Sequence, residues 1–386
     1  MSKKTSWNSD SPYFPTENLI ELHFHLDGSI TAEIAKKLAE LQHIKLPTED
    51  DYELSELLSV SDDCQSLNEF LEKFDLPCSL LQTKEGITNA VYLVQENVRK
   101  QGVIYLEIRF APQLLCKGGL TQEEVVVAAL EGLEKSELHT NLILCLMRGD
   151  TKDESLLRAN NETLRLAKKY LVPDKGIVAI DLAGAEALFK TEDFKVPFET
   201  AHAQSVPITI HAGEADGAES VRKAIEFGAA RIGHGVRIFE DEKLLDLVVE
   251  RKIPLEMAPS SNCLTKVIAD MRNYPIKEFL RRGVKVTINT DDMAICRTNL
   301  QSEFRFIIEE YDLTDEEVLT IMLNSTDAAF TTEEVKASLK AKIIESYNKN
   351  CKYKSMYSNI NKDNDLTVNN NQSFGQSIIN AGNCKD

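Results

Sequence analysis

The stretch from Leu19 to Ser29 reads LIELHFHLDGS, an apolar run closing on two histidines two positions apart. In an extended strand, side chains repeat every second residue, so His23 and His25 share one face. Two imidazoles side by side suit a shared metal ion, although an HxH pair taken alone also fits two satisfied core histidines. Three further apolar runs end in similar chemistry. ITIHAGEADGAES supplies His211 and, three residues later, Glu214; RIGHGVRI supplies His234; VTINTDDMAI supplies Asp291 and Asp292. Each has a bland alternative: a helix cap, a buried turn residue, a solvated carboxylate pair. The bland reading fails for the set, because four of the chain's seven histidines stand in equivalent settings.

Nitrogen and carboxylate donors without cysteine suit zinc or another divalent transition ion. Such an ion lowers the pKa of the water it binds toward about 7 and generates hydroxide at neutral pH. Three histidines and one aspartate leave a position for that water. Glu214 and His234 then remain to handle protons. These residue types describe metal-assisted attack of water on an electrophilic carbon.

The elements that must position them follow from the alternation of short strand-like runs with longer helical sequence. Strands are expected at 19–25, 103–110, 141–147, 177–183, 207–211, 231–233, 253–257 and 284–289, with amphipathic segments such as 121–138, 155–170, 218–227 and 274–282 between them. Eight such units predict an α/β fold of the (β/α)8 TIM barrel type, in which catalytic residues project from the C-terminal strand ends. A doubly wound open sheet is the runner-up, but no glycine-rich phosphate loop follows the first strand.

The interval after the first strand is too long for one helix and predicts a helical insertion. In SLNEFLEKFDLP, Leu67, Phe70, Leu71 and Phe74 fall on one helical face, suited to packing over the barrel or covering its mouth. Past about Lys354 the sequence becomes Asn- and Ser-rich without periodicity, and a disordered C-terminal tail is expected. The expected divisions are an N-terminal extension at 1–16, the barrel at 17–354 and the tail at 355–386.

The 386 residues carry 44 basic and 62 acidic side chains, a formal charge of −18, which opposes nucleic-acid backbones and anionic membranes as partners. No run approaches the roughly 20 apolar residues of a membrane helix. The N-terminus has no apolar signal-peptide core, and the cysteines form no CxxC pair. A cytoplasmic location is expected, with no obligate protein partner implied.

The motifs ELHFHLDGS, YLEIRFAPQ, AIDLAG, IHAGE, GHG, PSSN and NTDD, in this order from about Leu19 to Ala341, resemble the adenosine deaminase family of the amidohydrolase superfamily. The fourth predicted strand ends AIDLAGAE, without the bridging lysine of two-metal relatives. The HxE and PCxxC signatures of the other zinc deaminase class are absent. The resemblance implies one zinc ion held by His23, His25, His211 and Asp291. It implies that Glu214 protonates ring nitrogen 1 of a purine, and that His234 orients or deprotonates the attacking water. Asp292 would meet ring nitrogen 7, the backbone N–H of Gly184 ring nitrogen 3, and Asp27, with His25 nearby, the ribose 5′-hydroxyl. The implied substrate is a purine nucleoside, with adenine, a modified adenosine or an adenine nucleotide as alternatives. A carboxylate at Asp27 disfavours a phosphate there. Ser260 and Ser261 are expected to support the metal ligands, Arg109 to be a structural ion-pair residue, and the Leu67–Phe74 segment to form an apolar flap.

Overall fold

The apolar runs become strands at the expected places. The computed structural model describes residues 13–368 apart from 62, 63 and 65, and among them eight strands form. They are β1 (Leu19–His25), β2 (Val103–Phe110), β3 (His139–Met147), β4 (Ile177–Ala183), β5 (Thr209–Ala212), β6 (Arg231–His234), β7 (Leu255–Met257) and β8 (Val286–Ile288). Two parallel sheets, β1-β2-β3-β4 and β5-β6-β7-β8, meet at two seams through the bridges Ile180–Ile208 and Phe24–Asp291. The strands thereby close into a (β/α)8 barrel. Burial on both faces explains their near-continuous apolar sequence; every residue of β4, IVAIDLA, is buried.

Helices Gln122–Leu133, Glu154–Lys169, Ala218–Glu226 and Ile276–Arg282 occupy the predicted amphipathic segments. The first stops earlier than expected, and β3 starts earlier, at His139. Its start is set by a capping box, in which the Thr121 hydroxyl and the Glu124 carboxylate satisfy each other's backbone N–H.

The barrel interior holds a layer of paired charges. Arg109 of β2 and Arg231 of β6 are buried with Glu107, Asp181 and Glu256. Arg109 donates to Asp181 Oδ2 (2.9 Å) and Glu256 Oε2 (2.7 Å). Arg231 donates to Glu256 Oε1 (2.5 Å) and Glu107 Oε2 (2.6 Å), and lies 3.8 Å over the Phe330 ring. Every charge in this layer has a partner, the condition for burying it. Arg109 is therefore the structural ion-pair residue expected, placed directly beneath the histidines.

The insertion after β1 is helical, with helices Ala32–Gln42, Asp51–Leu57, Leu67–Leu71 and Asp75–Ser79 preceding the barrel helix Lys84–Lys100. Phe70 packs in a small separate apolar cluster with Val60, Cys64, Ile295 and Cys296. At the other end, the last helix runs Glu333–Val368 and carries past Lys354, where the sequence pattern suggested disorder. Its first half is anchored by buried Leu339 and Ile343, and the helix continues beyond that anchor. The rest of the expected tail, and residues 1–12 of the expected extension, lie outside the described residues.

Candidate active site

Strand ends bring the singled-out residues to one rim. His23 and His25 project from β1, His211 from β5 and His234 from the end of β6. Asp291 follows β8 and is stitched to β1 by backbone bonds, its N–H to His23 O (2.8 Å) and its carbonyl from His25 N–H (2.9 Å). Asp291 and His234 both adopt left-handed backbone, φ 62° and 61°, a conformation unfavourable for side-chain-bearing residues that the surrounding bonds enforce.

The ring nitrogens converge. His211 Nε2 lies 3.0 Å from His23 Nε2 and 3.1 Å from His25 Nε2. Asp291 Oδ1 lies 3.1 Å from His23 Nε2 and 3.3 Å from His25 Nε2. Behind them, His23 Nδ1 meets Glu256 Oε2 at 2.7 Å and His211 Nδ1 meets Asp181 Oδ2 at 2.9 Å. Those carboxylates hold the ring protons on Nδ1 and leave the Nε2 lone pairs facing one another. Electron-rich atoms this close repel unless a cation lies among them. Donors about 2.0–2.1 Å from a shared zinc stand about 3.0–3.4 Å apart, which matches these separations.

The surrounding charges act on these groups unequally. Burial and Arg109 depress the His23 pKa, yet Asp291 and Glu256 outweigh them and raise it to about 9. Burial pushes His211 down to about 4 against the pull of Asp181. Asp291 is held well below its ordinary value despite burial, by His23, His25 and His234. His234 also comes within reach of the ligand group. Its 3.8 Å approach to Asp291 Oδ2 is longer than those of His23 and His25 to Oδ1.

Around this centre the other candidates take distinct places. Glu214 Oε2 lies 3.6 Å from His234 Nε2, and burial, then Asp291 and Glu186, raise the Glu214 pKa to about 8. Tyr274 donates to Asn262 Oδ1 (2.8 Å), turning the Asn262 amide nitrogen toward His234 Nδ1 (3.0 Å). Asp292 is buried, with Oδ1 lacking a hydrogen-bond partner among the described residues, and burial beside Asp291, Asp27 and Glu214 holds its pKa well above the ordinary value. Gly28 lets that carboxylate lie where it does; a Cβ there would come within 1.7 Å of Asp292 Oδ1.

A cavity of about 370 Å³ opens from this rim, in the range of about 300–1,000 Å³ usual for small-molecule sites. His25, Asp27 and Gly184 line it together with Leu71 and Phe74 of the insertion and with Lys117. Asp27 Oδ1 is unpartnered among the described residues, while Oδ2 accepts from the Cys78 thiol (3.6 Å). Gly184 has φ 107°, a region essentially reserved for glycine. Larger clefts, of about 410 and 500 Å³, lie away from the metal-ligand candidates.

Three residues that sequence reasoning passed over hold this machinery: Asp181, Glu256 and Asn262. The first two were visible as lone charges in otherwise apolar runs, AIDLA and PLEM. In PSSN the residue touching the site is Asn262, whereas the Ser260 N–H donates to Glu303 (3.0 Å). The expected support of the metal ligands by Ser260 and Ser261 gives way to support of His234 by Asn262.

A closed parallel barrel with histidines and an aspartate gathered at its C-terminal rim defines an amidohydrolase-type enzyme. The pattern of the adenosine deaminase family matches residues 18–346, and the chain belongs to that family. It is 45% identical over 335 residues to an adenosine deaminase of Haemophilus ducreyi, covering 85% of this chain and 96% of that protein. An adenosine deaminase of Clostridium acetobutylicum is 39% identical over 329 residues, covering 84% and 96%. Among solved structures, adenine deaminase from Arthrobacter aurescens aligns with a TM-score of 0.77 at 27% identity, covering 86% of this chain and 99% of that one. The N6-methyl-AMP deaminase of Arabidopsis thaliana aligns at 0.70 and 25% identity, covering 86% and 97%.

Proposed function

We propose that this chain hydrolyses the 6-amino group of adenosine and 2′-deoxyadenosine, consuming water and giving inosine or 2′-deoxyinosine and ammonia. The observation that carries the reading is the placement of Glu214 beside His234 at the rim where the Nε2 atoms converge, with His25 of that cluster lining the cavity that Asp27 and Gly184 also line. His23, His25, His211 and Asp291 would hold a divalent ion, zinc in this reading, whose chemistry when bound would be to lower the pKa of water toward about 7.

The chain's own residues do the rest. Glu214, protonated up to about pH 8, donates to ring nitrogen 1 and makes carbon 6 more electrophilic. His234 accepts from Asn262 at Nδ1, so its proton sits on Nε2. Burial, reinforced by the neighbouring histidines, holds its pKa well below the ordinary value. It therefore acts as a neutral donor that orients the attacking oxygen and stabilises the charge growing there, rather than as a base. Asp292, kept protonated, donates to ring nitrogen 7. The Gly184 backbone N–H serves ring nitrogen 3, and Asp27 accepts from the ribose 5′-hydroxyl beside His25.

In this reading the catalytic unit is 17–354, with 1–16 and 355–386 outside it. Among the described residues no helix is long and apolar enough to cross a membrane. We place the enzyme in the cytoplasm, acting on a free small molecule.

A second reading, an adenine nucleotide as substrate, draws on Lys117, a cation lining the same cavity. An ultraviolet assay of zinc-loaded protein with adenosine, adenine and AMP in parallel separates them. Turnover of adenosine far above the other two is expected. Preference for AMP would transfer the ribose end of the cavity to Lys117, and preference for adenine would remove Asp27 from substrate binding.

A further inference from the structure

The loop that presents Glu214 is held by one buried carboxylate. Glu186 follows β4 and is 1% exposed. Its Oε2 accepts from the backbone N–H groups of Glu214 (3.0 Å), Ala215 (2.7 Å) and Asp216 (3.0 Å). Its Oε1 accepts from Gly213 N–H (2.8 Å) and from the Ser220 hydroxyl (2.5 Å). Four consecutive N–H groups pointing at one carboxylate fix the path of the chain from Gly213 to Asp216. Such a run of aligned donors is an anion-binding concavity, filled here by a side chain of the protein itself.

The grip extends further. The Ser220 hydroxyl contacts Thr191 Oγ1 at 2.7 Å, and Thr191 accepts from Arg148 Nη2 (2.9 Å). The same Nη2 reaches His211 O at 2.6 Å. The segment from His211 to Asp216 is therefore clamped at its metal-binding end by Arg148 and at its Glu214 end by Glu186.

We infer that Glu186 is a positioning residue for the reaction, setting the Glu214 carboxyl at its working distance from His234 through the backbone of 213–216. This rests on the proton-donor reading of Glu214. The hydrogen bonds of Glu186 run to the 213–216 backbone and to Ser220, so it reaches Glu214 through the chain. A glutamine at this position keeps the shape but turns an NH2 group toward backbone donors, so the cradle loses acceptors and gains a repulsive contact.

Four proteins test the inference: wild type, Glu186→Gln, Glu214→Gln and the double variant, each measured for kcat, KM and bound zinc. Glu186→Gln is expected to lower kcat by about 10–10²-fold, with KM and zinc content close to wild type. Because Glu186 acts through Glu214, the double variant is expected to be no slower than Glu214→Gln alone. Independent, multiplying losses in the double variant overturn the inference, as does wild-type kcat in Glu186→Gln. Loss of zinc together with kcat also overturns it and makes Glu186 part of the scaffold of His211. Near-wild-type activity in Glu214→Gln instead removes the proton-donor reading on which the inference stands. Should Glu186→Gln fail to fold, Ser220→Ala decides by the same cycle, with an expected kcat loss of about 3–10-fold from one missing hydrogen bond.

Discussion

The 2.7 Å contact between His23 Nδ1 and Glu256 Oε2 spans 233 positions of sequence and decides which nitrogen of His23 faces the metal-ligand cluster. Glu256 is also where the two buried arginines meet, Arg109 on Oε2 and Arg231 on Oε1, with the Thr209 hydroxyl at 2.9 Å. Burial opposes its charge, but the two arginines and His23 hold its pKa well below the carboxylate range. Glu256→Gln keeps the side chain's size and removes that charge. It should weaken zinc binding by about 10–100-fold, since partners behind metal ligands commonly carry that much. Arg109 keeps Asp181 and Arg231 keeps Glu107, so each arginine loses one of two carboxylate partners and the fold should be destabilised by about 1.5–3 kcal/mol. A zinc titration against a chelating indicator and a urea midpoint check both. Wild-type zinc affinity in the variant would falsify the orienting role.

Glu214 sets a pH limit. A donor must be protonated to act, and the Glu214 pKa is raised to about 8 by burial and by Asp291 and Glu186. The active form is therefore present below about pH 8 and lost above it, so kcat/KM should fall about tenfold per pH unit on the alkaline side. The pH profile of kcat/KM for adenosine measures this. A profile flat through pH 10 would assign the proton to another group.

Asp27 should govern the ribose end. Asp27 lines the cavity, its Oδ2 accepts from the Cys78 thiol, and its buried Oδ1 is unpartnered among the described residues. A hydrogen bond to a charged group contributes about 1.5–3 kcal/mol, or about 10–10²-fold in binding. Asp27→Asn should raise KM for adenosine by roughly that factor with a smaller change in kcat, and should narrow the gap to AMP by removing the repulsion of phosphate. Steady-state kinetics with both substrates decide it; an unchanged KM sinks the assignment.

The barrel was legible because its strands are local runs, and parallel strands buried on both faces leave a continuous apolar signature. The ligand candidates were legible because their types are rare and their positions, at the ends of those runs, repeat. What escaped is the layer between. Nothing in the spacing of Arg109, Asp181, Arg231 and Glu256 announces that they pair, since each contact crosses between strands far apart in sequence. The PSSN motif was read for its serines, yet Asn262 reaches His234, because the short helix Pro259–Leu264 turns that residue inward.

The flap gives the last prediction, because its apolar face divides between two neighbours. Phe70 is buried against Ile295 and Cys296, on the segment that leaves Asp292 through Met293 and Ala294, and the Val60 N–H donates to Ile295 O at 3.1 Å. Phe74 flanks that cluster and, with Leu71, lines the substrate cavity. The insertion is thus fastened to the loop carrying the two aspartates and turns Leu71 and Phe74 to the cavity. Phe70→Ala should behave as a core truncation, costing about 3–5 kcal/mol of stability. Phe74→Ala should leave the thermal midpoint near wild type and raise KM for adenosine by about 3–10-fold, the loss of part of one apolar contact with a ligand. Melting curves and KM values for the two variants separate the roles. If Phe74→Ala lowers the midpoint and leaves KM alone, the segment is packing for the barrel and no cover for the nucleoside.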